Sequence, residues 1–198
     1  EFKRVGKIFE TIDLFNPDGS IDWADAVQGD AGTCYIKAAM GSLAEFPQMV
    51  RDTFVNTSLN SVGIINVRFF IRGKPWIVTI DNSLLVRQAE SLEALNEGLD
   101  ADEDPYTKLV FAQPSVDGKS IWGALLEKAW AKVRGNYLEA DQGGYTPNGL
   151  RVLTGYPVFE IWTSELKATT LDAAWAKIKS ADDNGYIMAA STDGEGDD

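Results

Sequence analysis

The chain has 198 residues, 44% of them hydrophobic and 24% charged, enough for one packed domain and short for two complete ones. With 18 Lys and Arg against 30 Asp and Glu, the formal net charge is -12, which argues against nucleic acid and anionic membrane surfaces as partners. No apolar run approaches the roughly 18 residues needed to span a bilayer, and one cysteine leaves no internal disulfide, pointing to a reducing, cytoplasmic setting. The N-terminus, Glu1-Phe2-Lys3-Arg4, shows no secretory leader and no initiator Met, which suggests a piece of something longer.

In chain order, Phe9 to Asp22 reads as a helix end and a turn, with Asn16-Pro17-Asp18-Gly19 supplying the turn chemistry. A helix is expected from Cys34 to Glu45, where Ile36, Ala39, Met40, Leu43 and Ala44 recur at helical spacing; Pro47 ends it, with a further turn over Gln48 to Phe54. Ile65 to Arg72 alternates as a strand, with Ile65, Val67, Phe69 and Ile71 on one face. Gly73-Lys74-Pro75 turns it into a partner strand, Trp76 to Asp81. Residues 85–106 carry no persistent period and read as a surface excursion, with a short helix near Leu92–Glu97 that Gly98 ends. A short strand is expected at Lys108–Ala112. Ser120 caps a helix from Ile121 to Arg134 that buries Trp122, Leu125, Leu126, Ala129 and Val133 and stops at Gly135. A last helix follows Thr169-Thr170 and runs to about Lys179, and the tail from Asp193 is too polar to bury. All six tryptophans are assigned to the core.

The stretch that carries chemistry is Gln28-Gly29-Asp30-Ala31-Gly32-Thr33-Cys34-Tyr35. It sets the sole cysteine at a helix start, where unpaired amides and the helix dipole favour a thiolate. A glutamine six residues upstream can donate to an oxygen that becomes negative during acyl transfer. The general base of such a site is missing, since the chain holds no histidine.

These residues resemble the calpain family of papain-like cysteine proteases. The resemblance rests on Gln28-Gly29, Gly32, Cys34, Ala38-Ala39 and Leu43, on Leu109-Val110-Phe111, and on Trp122 with Ala124-Leu125-Leu126-Glu127-Lys128-Ala129 and Ala131-Lys132. Gly143-Gly144 and Thr154-Gly155 complete it. The resemblance implies an α+β fold: the helical, Cys-bearing half of a papain-like core with a small antiparallel sheet. Residues 1–188 would form that first subdomain, with 189–198 an acidic tail or the start of a linker. Cys34 would be the nucleophile of an intracellular endopeptidase and Gln28 its oxyanion donor. Histidine and asparagine would come from a second subdomain outside this chain, and the partners would be protein substrates.

Three positions depart from the family pattern. Tyr35 stands where tryptophan is usual, a mild change. Lys37 replaces a leucine, and its ammonium is expected to snorkel to solvent rather than act on the thiol. By the resemblance Asp25 corresponds to the aspartate of a calcium site, yet its glutamate partner falls at Asn148, so calcium binding would be weakened or lost. Asp100, Asp102 and Asp104 imitate the opening of a calcium loop, but Pro105 and Phe111 stand where that loop needs glycine and glutamate. The rival reading is a catalytically degenerate calpain-like scaffold; a transglutaminase-like thiol enzyme ranks below it.

Overall fold

The computed structural model describes residues 1–86 and 109–191. The expected excursion from residue 87 onward, its short helix, the acidic Asp100–Asp104 loop and the polar tail from Asp193 therefore lie outside the described residues, whereas Leu85 and Val86, expected to open the excursion, belong to a strand and a bridge. The elements in order are β1 (Phe2–Arg4), α1 (Val5–Ile8), a 3-10 turn (Trp23–Asp25), α2 (Cys34–Ala44), α3 (Pro47–Asp52), β2 (Ile64–Ile71), β3 (Lys74–Asp81) and β4 (Ser83–Leu85). After them come α4 (Trp122–Arg134), α5 (Tyr137–Asp141), α6 (Thr146–Thr154), a 3-10 turn (Thr163–Glu165) and α7 (Ala168–Asp183). Among the described residues two antiparallel pairs, β1 with β4 and β2 with β3, make up the sheet content, so the chain is α+β as expected. Among the described residues no helix is long and apolar enough to cross a membrane.

The hairpin follows its alternation. Ile65, Val67 and Phe69 are buried while Asn66 and Arg68 between them are partly exposed, the period-2 pattern of a sheet with one wet face. Its turn sits one residue earlier than expected. Ile71 pairs with Lys74, leaving Arg72 and Gly73 as the two turn residues at φ 52° and 73°. Positive φ at both positions matches the right-handed strand twist. Pro75 thereby joins β3, which tolerates it because, among the described residues, β3 pairs only with β2.

The core forms where α2, α4 and the inner face of β2 meet: Ile36, Met40 and Leu43 from α2, Trp122, Leu125, Leu126 and Ala129 from α4, and Phe69 are all buried. Helix α6 lies against α2 closely enough that a Cβ on Gly149 would come within 2.8 Å of the Ala39 methyl carbon. That close approach fixes a small residue at the crossing.

Several expectations need correction. Lys108–Ala112 is not a strand: its described residues make only an isolated bridge, Leu109 with Val86. The Val110 carbonyl accepts instead from the Asp30 amide (3.1 Å), and Gln113 N donates to Val27 O (3.2 Å). The segment's backbone is divided between β4, where Val110 N donates to Leu85 O (3.0 Å), and the cysteine loop. Ser120 does not cap α4; the cap position is Ile121, and Ser120 Oγ is buried without a hydrogen-bond partner among the described residues. Its amide is held by Ser115 Oγ (2.9 Å), in a turn that the Asp117 carboxylate tightens. Helix α3 is a separate helix with Pro47 in its first turn, where a missing N–H costs nothing. Helix α7 starts earlier and ends later than expected, because Thr170 Oγ1 accepts from the Lys167 amide (2.9 Å) and so sets the helix start behind it. Of the tryptophans, only Trp122 and Trp130 are buried; Trp23, Trp76, Trp162 and Trp175 are exposed. Bulk alone does not put an indole in the core.

Candidate active site

Cys34 is the first residue of α2 and is an exposed free thiol. At that position its own amide has no acceptor within the helix. Thr33 precedes it at the cap, with its carbonyl already accepting from the Ile36 and Lys37 amides at 3.1 and 3.0 Å. Gln28 is also exposed, at the other end of the same short loop, with its Nε2 donating to Ala31 O at 2.9 Å. The glutamine amide is thus folded back on its own loop here. The cleft between Phe2, Ile80, Lys128 and Tyr137 includes neither residue.

The loop is seated from several sides. Gly29 lies on the backbone of Val110 and Phe111, so closely that a Cβ would land on the Phe111 carbonyl. Phe111 is itself fixed by stacking on Tyr137, with centroids 3.8 Å apart and planes 6° from parallel. The Gly32 amide donates to the Asp141 carboxylate on α5. Tyr35, next to the thiol, is buried; its hydroxyl donates to Ala140 O (3.2 Å) and accepts from Trp130 Nε1 (2.7 Å). An aromatic therefore stands beside the cysteine as expected, and its hydroxyl ties α2 to α4 and α5.

Beneath the loop lies a pair of charges that sequence reasoning misread or missed. Lys37 does not snorkel: it is 5% exposed, and its Nζ donates to Gly123 O at 3.1 Å. Residue 37 faces inward, as the leucine of the family pattern suggests, so the ammonium finds α4 and not water. Glu127 is fully buried and accepts from Thr33 Oγ1 (2.5 Å) and Ala112 N (2.7 Å). The available signal was a glutamate within an otherwise apolar stretch of α4, since a buried carboxylate needs donors or a counter-charge.

Burial pulls the Lys37 ammonium down from 10.5 to about 8, with the Glu127 carboxylate opposing the shift. Because the folded value lies below the unfolded one, the unfolded chain holds more protons between about pH 8 and 10.5. Stability therefore rises with pH across that window, by up to about 1.4 kcal/mol per pH unit from this group. Below about pH 8 the cost of the buried cation is fully present. In urea titrations the stability difference between wild type and Lys37→Met is expected to move in favour of wild type from pH 8 to 10; a difference flat in pH would exclude it.

Asp25 is 6% exposed, and donors surround its carboxylate: Asp22 N at 2.9 Å, Asn16 Nδ2 at 3.3 Å and Trp122 Nε1 at 3.3 Å to Oδ2. It closes the 3-10 turn as a capping box with Asp22. Calcium wants six to eight oxygens, whereas this carboxylate faces N–H groups. Asn148 Oδ1 accepts from the Arg151 guanidinium (3.2 Å), which also bonds Glu160 (3.1 Å). The residues present at Asp25 and Asn148 do not fit a calcium ion in this arrangement.

Comparison with known proteins identifies the family. The family profile described as calpain family cysteine protease matches residues 1–198. Calpain-13 of Rattus norvegicus is 31% identical over 171 residues, covering 85% of this chain and 22% of that protein. The calpain-1 catalytic subunit of Homo sapiens is 32% identical over 154 residues, 72% of this chain and 18% of its own length. The calpain-type cysteine protease DEK1 of Zea mays is 26% identical over 178 residues, 88% of this chain and 7% of its own. This chain spans less than a quarter of the length of these curated relatives. With a glycine-seated loop leading from Gln28 to a helix-initiating cysteine, and a family match along its whole length, the chain belongs to the calpain family of cysteine proteases.

Proposed function

We propose that this chain is the nucleophile-bearing part of an intracellular cysteine endopeptidase, residues 1–188 forming its Cys-bearing subdomain. The observation that carries the reading is Cys34 itself: an exposed thiol on the first residue of α2, at the end of a loop pinned to Val110–Phe111 and Asp141. Its thiolate attacks the peptide carbonyl, the C–N bond breaks to give a thioester acyl-enzyme, and water then releases the acid. Gln28 would turn its amide from Ala31 toward the carbonyl oxygen. The base that takes the thiol proton and returns it to the leaving amine is a histidine from outside this chain, which contains none. An asparagine from the same second subdomain would orient it. A reduced thiol suits a reducing, cytoplasmic compartment.

The test is labelling of the full-length protein with an epoxide of the papain-inhibitor type, with calcium or with a chelator. One label per molecule on Cys34 is the expected result. Absence of label on a folded protein would favour the scaffold reading. Because N–H donors face Asp25, chelation is expected to leave labelling by this half unchanged; calcium-dependent labelling that is lost in a folded Asp25→Asn variant would restore Asp25 as a ligand.

A further inference from the structure

Glu127 is placed to hold both sides of the cysteine loop at once. One carboxylate oxygen takes the Thr33 hydroxyl, on the residue directly before Cys34. The other takes the Ala112 amide, on the segment against which the loop is laid. That segment also receives the Asp30 amide at Val110 O and returns the Gln113 amide to Val27 O. The two oxygens thus bridge the loop and its support from below, from a rigid position in the middle of α4. A carboxylate buried this completely is retained only with strong donors or a nearby cation. It has both, for Lys37 is buried on the neighbouring α2 and bonded to Gly123, one helical turn before Glu127 on α4.

We propose that Glu127 is a positioning residue for the nucleophile, fixing the Gln28–Cys34 loop on the 109–113 segment through Thr33 and Ala112, with Lys37 as its buried counter-charge. Glu127 acts through Thr33 and touches no reacting atom. For turnover the proposal rests on the protease reading; for loop geometry it stands alone.

The experiment uses the full-length protein with Thr33→Val, Thr33→Ser and Glu127→Gln. Thr33→Val removes one tether at nearly constant volume. A buried hydrogen bond to a charged acceptor is strong, so hydrogen exchange in peptides covering 29–34 is expected to quicken by about tenfold or more, while peptides from α7 stay as in wild type. In the same variant kcat is expected to fall about tenfold with KM within about twofold, since loop misplacement is felt in the reacting geometry. Thr33→Ser restores the hydroxyl and is expected to recover both. Should Thr33→Val fail to fold, Glu127→Gln decides, being isosteric and neutral; exchange quickened within 29–34 supports the clamp. Wild-type exchange in that window in folded Thr33→Val or Glu127→Gln overturns it. Wild-type protein without turnover overturns the protease reading instead, and the exchange result still decides the clamp.

Discussion

Cys34→Ser in the full-length protein is expected to lower kcat/KM on an unfolded protein substrate by about 10⁴-fold or more while leaving the melting temperature nearly unchanged. The two halves of that expectation have separate causes. Cys34 is exposed at the first position of α2, so the near-isosteric serine disturbs little packing there. Chemically the exchange is severe. A thiol is within reach of ionisation near neutral pH and is intrinsically nucleophilic, whereas an alcohol needs its proton removed by a base in concert with attack. Nucleophile, base and oxyanion donor act as a unit, so removing one forfeits nearly all their joint contribution. Fluorogenic substrate kinetics alongside calorimetry would measure both quantities. Turnover within tenfold of wild type would show that Cys34 is not the nucleophile.

Gly29→Ala is the second large effect, and it works through the backbone. The new methyl would fall on the Phe111 carbonyl, with Val110 O also within reach. Neither obstacle is the end of a flexible side chain. Phe111 is clamped by its stack on Tyr137 and by Gln113 Nε2, which donates to its carbonyl at 2.8 Å. The loop must therefore lift, breaking the bond from Asp30 N to Val110 O and moving Gln28 relative to Cys34. A displacement of about 1 Å near a reacting centre costs roughly 10²-fold in rate, and overpacking adds about 1–3 kcal/mol of instability. Epoxide labelling rate and urea midpoint together test this. A folded Gly29→Ala protein that labels as fast as wild type would show that the tight seat does not matter to the thiol.

How much of this was legible in the sequence depends on where each residue's partners lie. The hairpin and helices α2 and α4 follow from local periodicity, and Gly135 marks the end of α4 with φ 113°. That Cys34 opens α2, behind a loop beginning at Gln28, was legible because the whole motif is local in the chain. Glu127 was not, since its partners Thr33 and Ala112 stand 94 and 15 residues away in the chain. Lys37 was misread for the same reason: a lysine on a helix favours water unless a neighbouring element supplies an acceptor, here Gly123 O. The described part of the Lys108–Ala112 segment failed as a strand because its backbone bonds are shared among Leu85, Asp30 and Glu127 and do not run along one partner strand. Helix α6 was overlooked because Pro147 and Gly149 weaken its helical signal, although proline is favourable in a first turn and glycine is what the crossing with Ala39 demands.

The division of the tryptophans has an optical consequence. Four indoles meet water and two do not, and one of the sheltered pair, Trp130, touches the hydroxyl of the aromatic ring adjoining Cys34. Emission from the sheltered pair lies to the blue and escapes aqueous quenchers, so the light that survives iodide comes from α4, the helix that carries both indoles and Glu127.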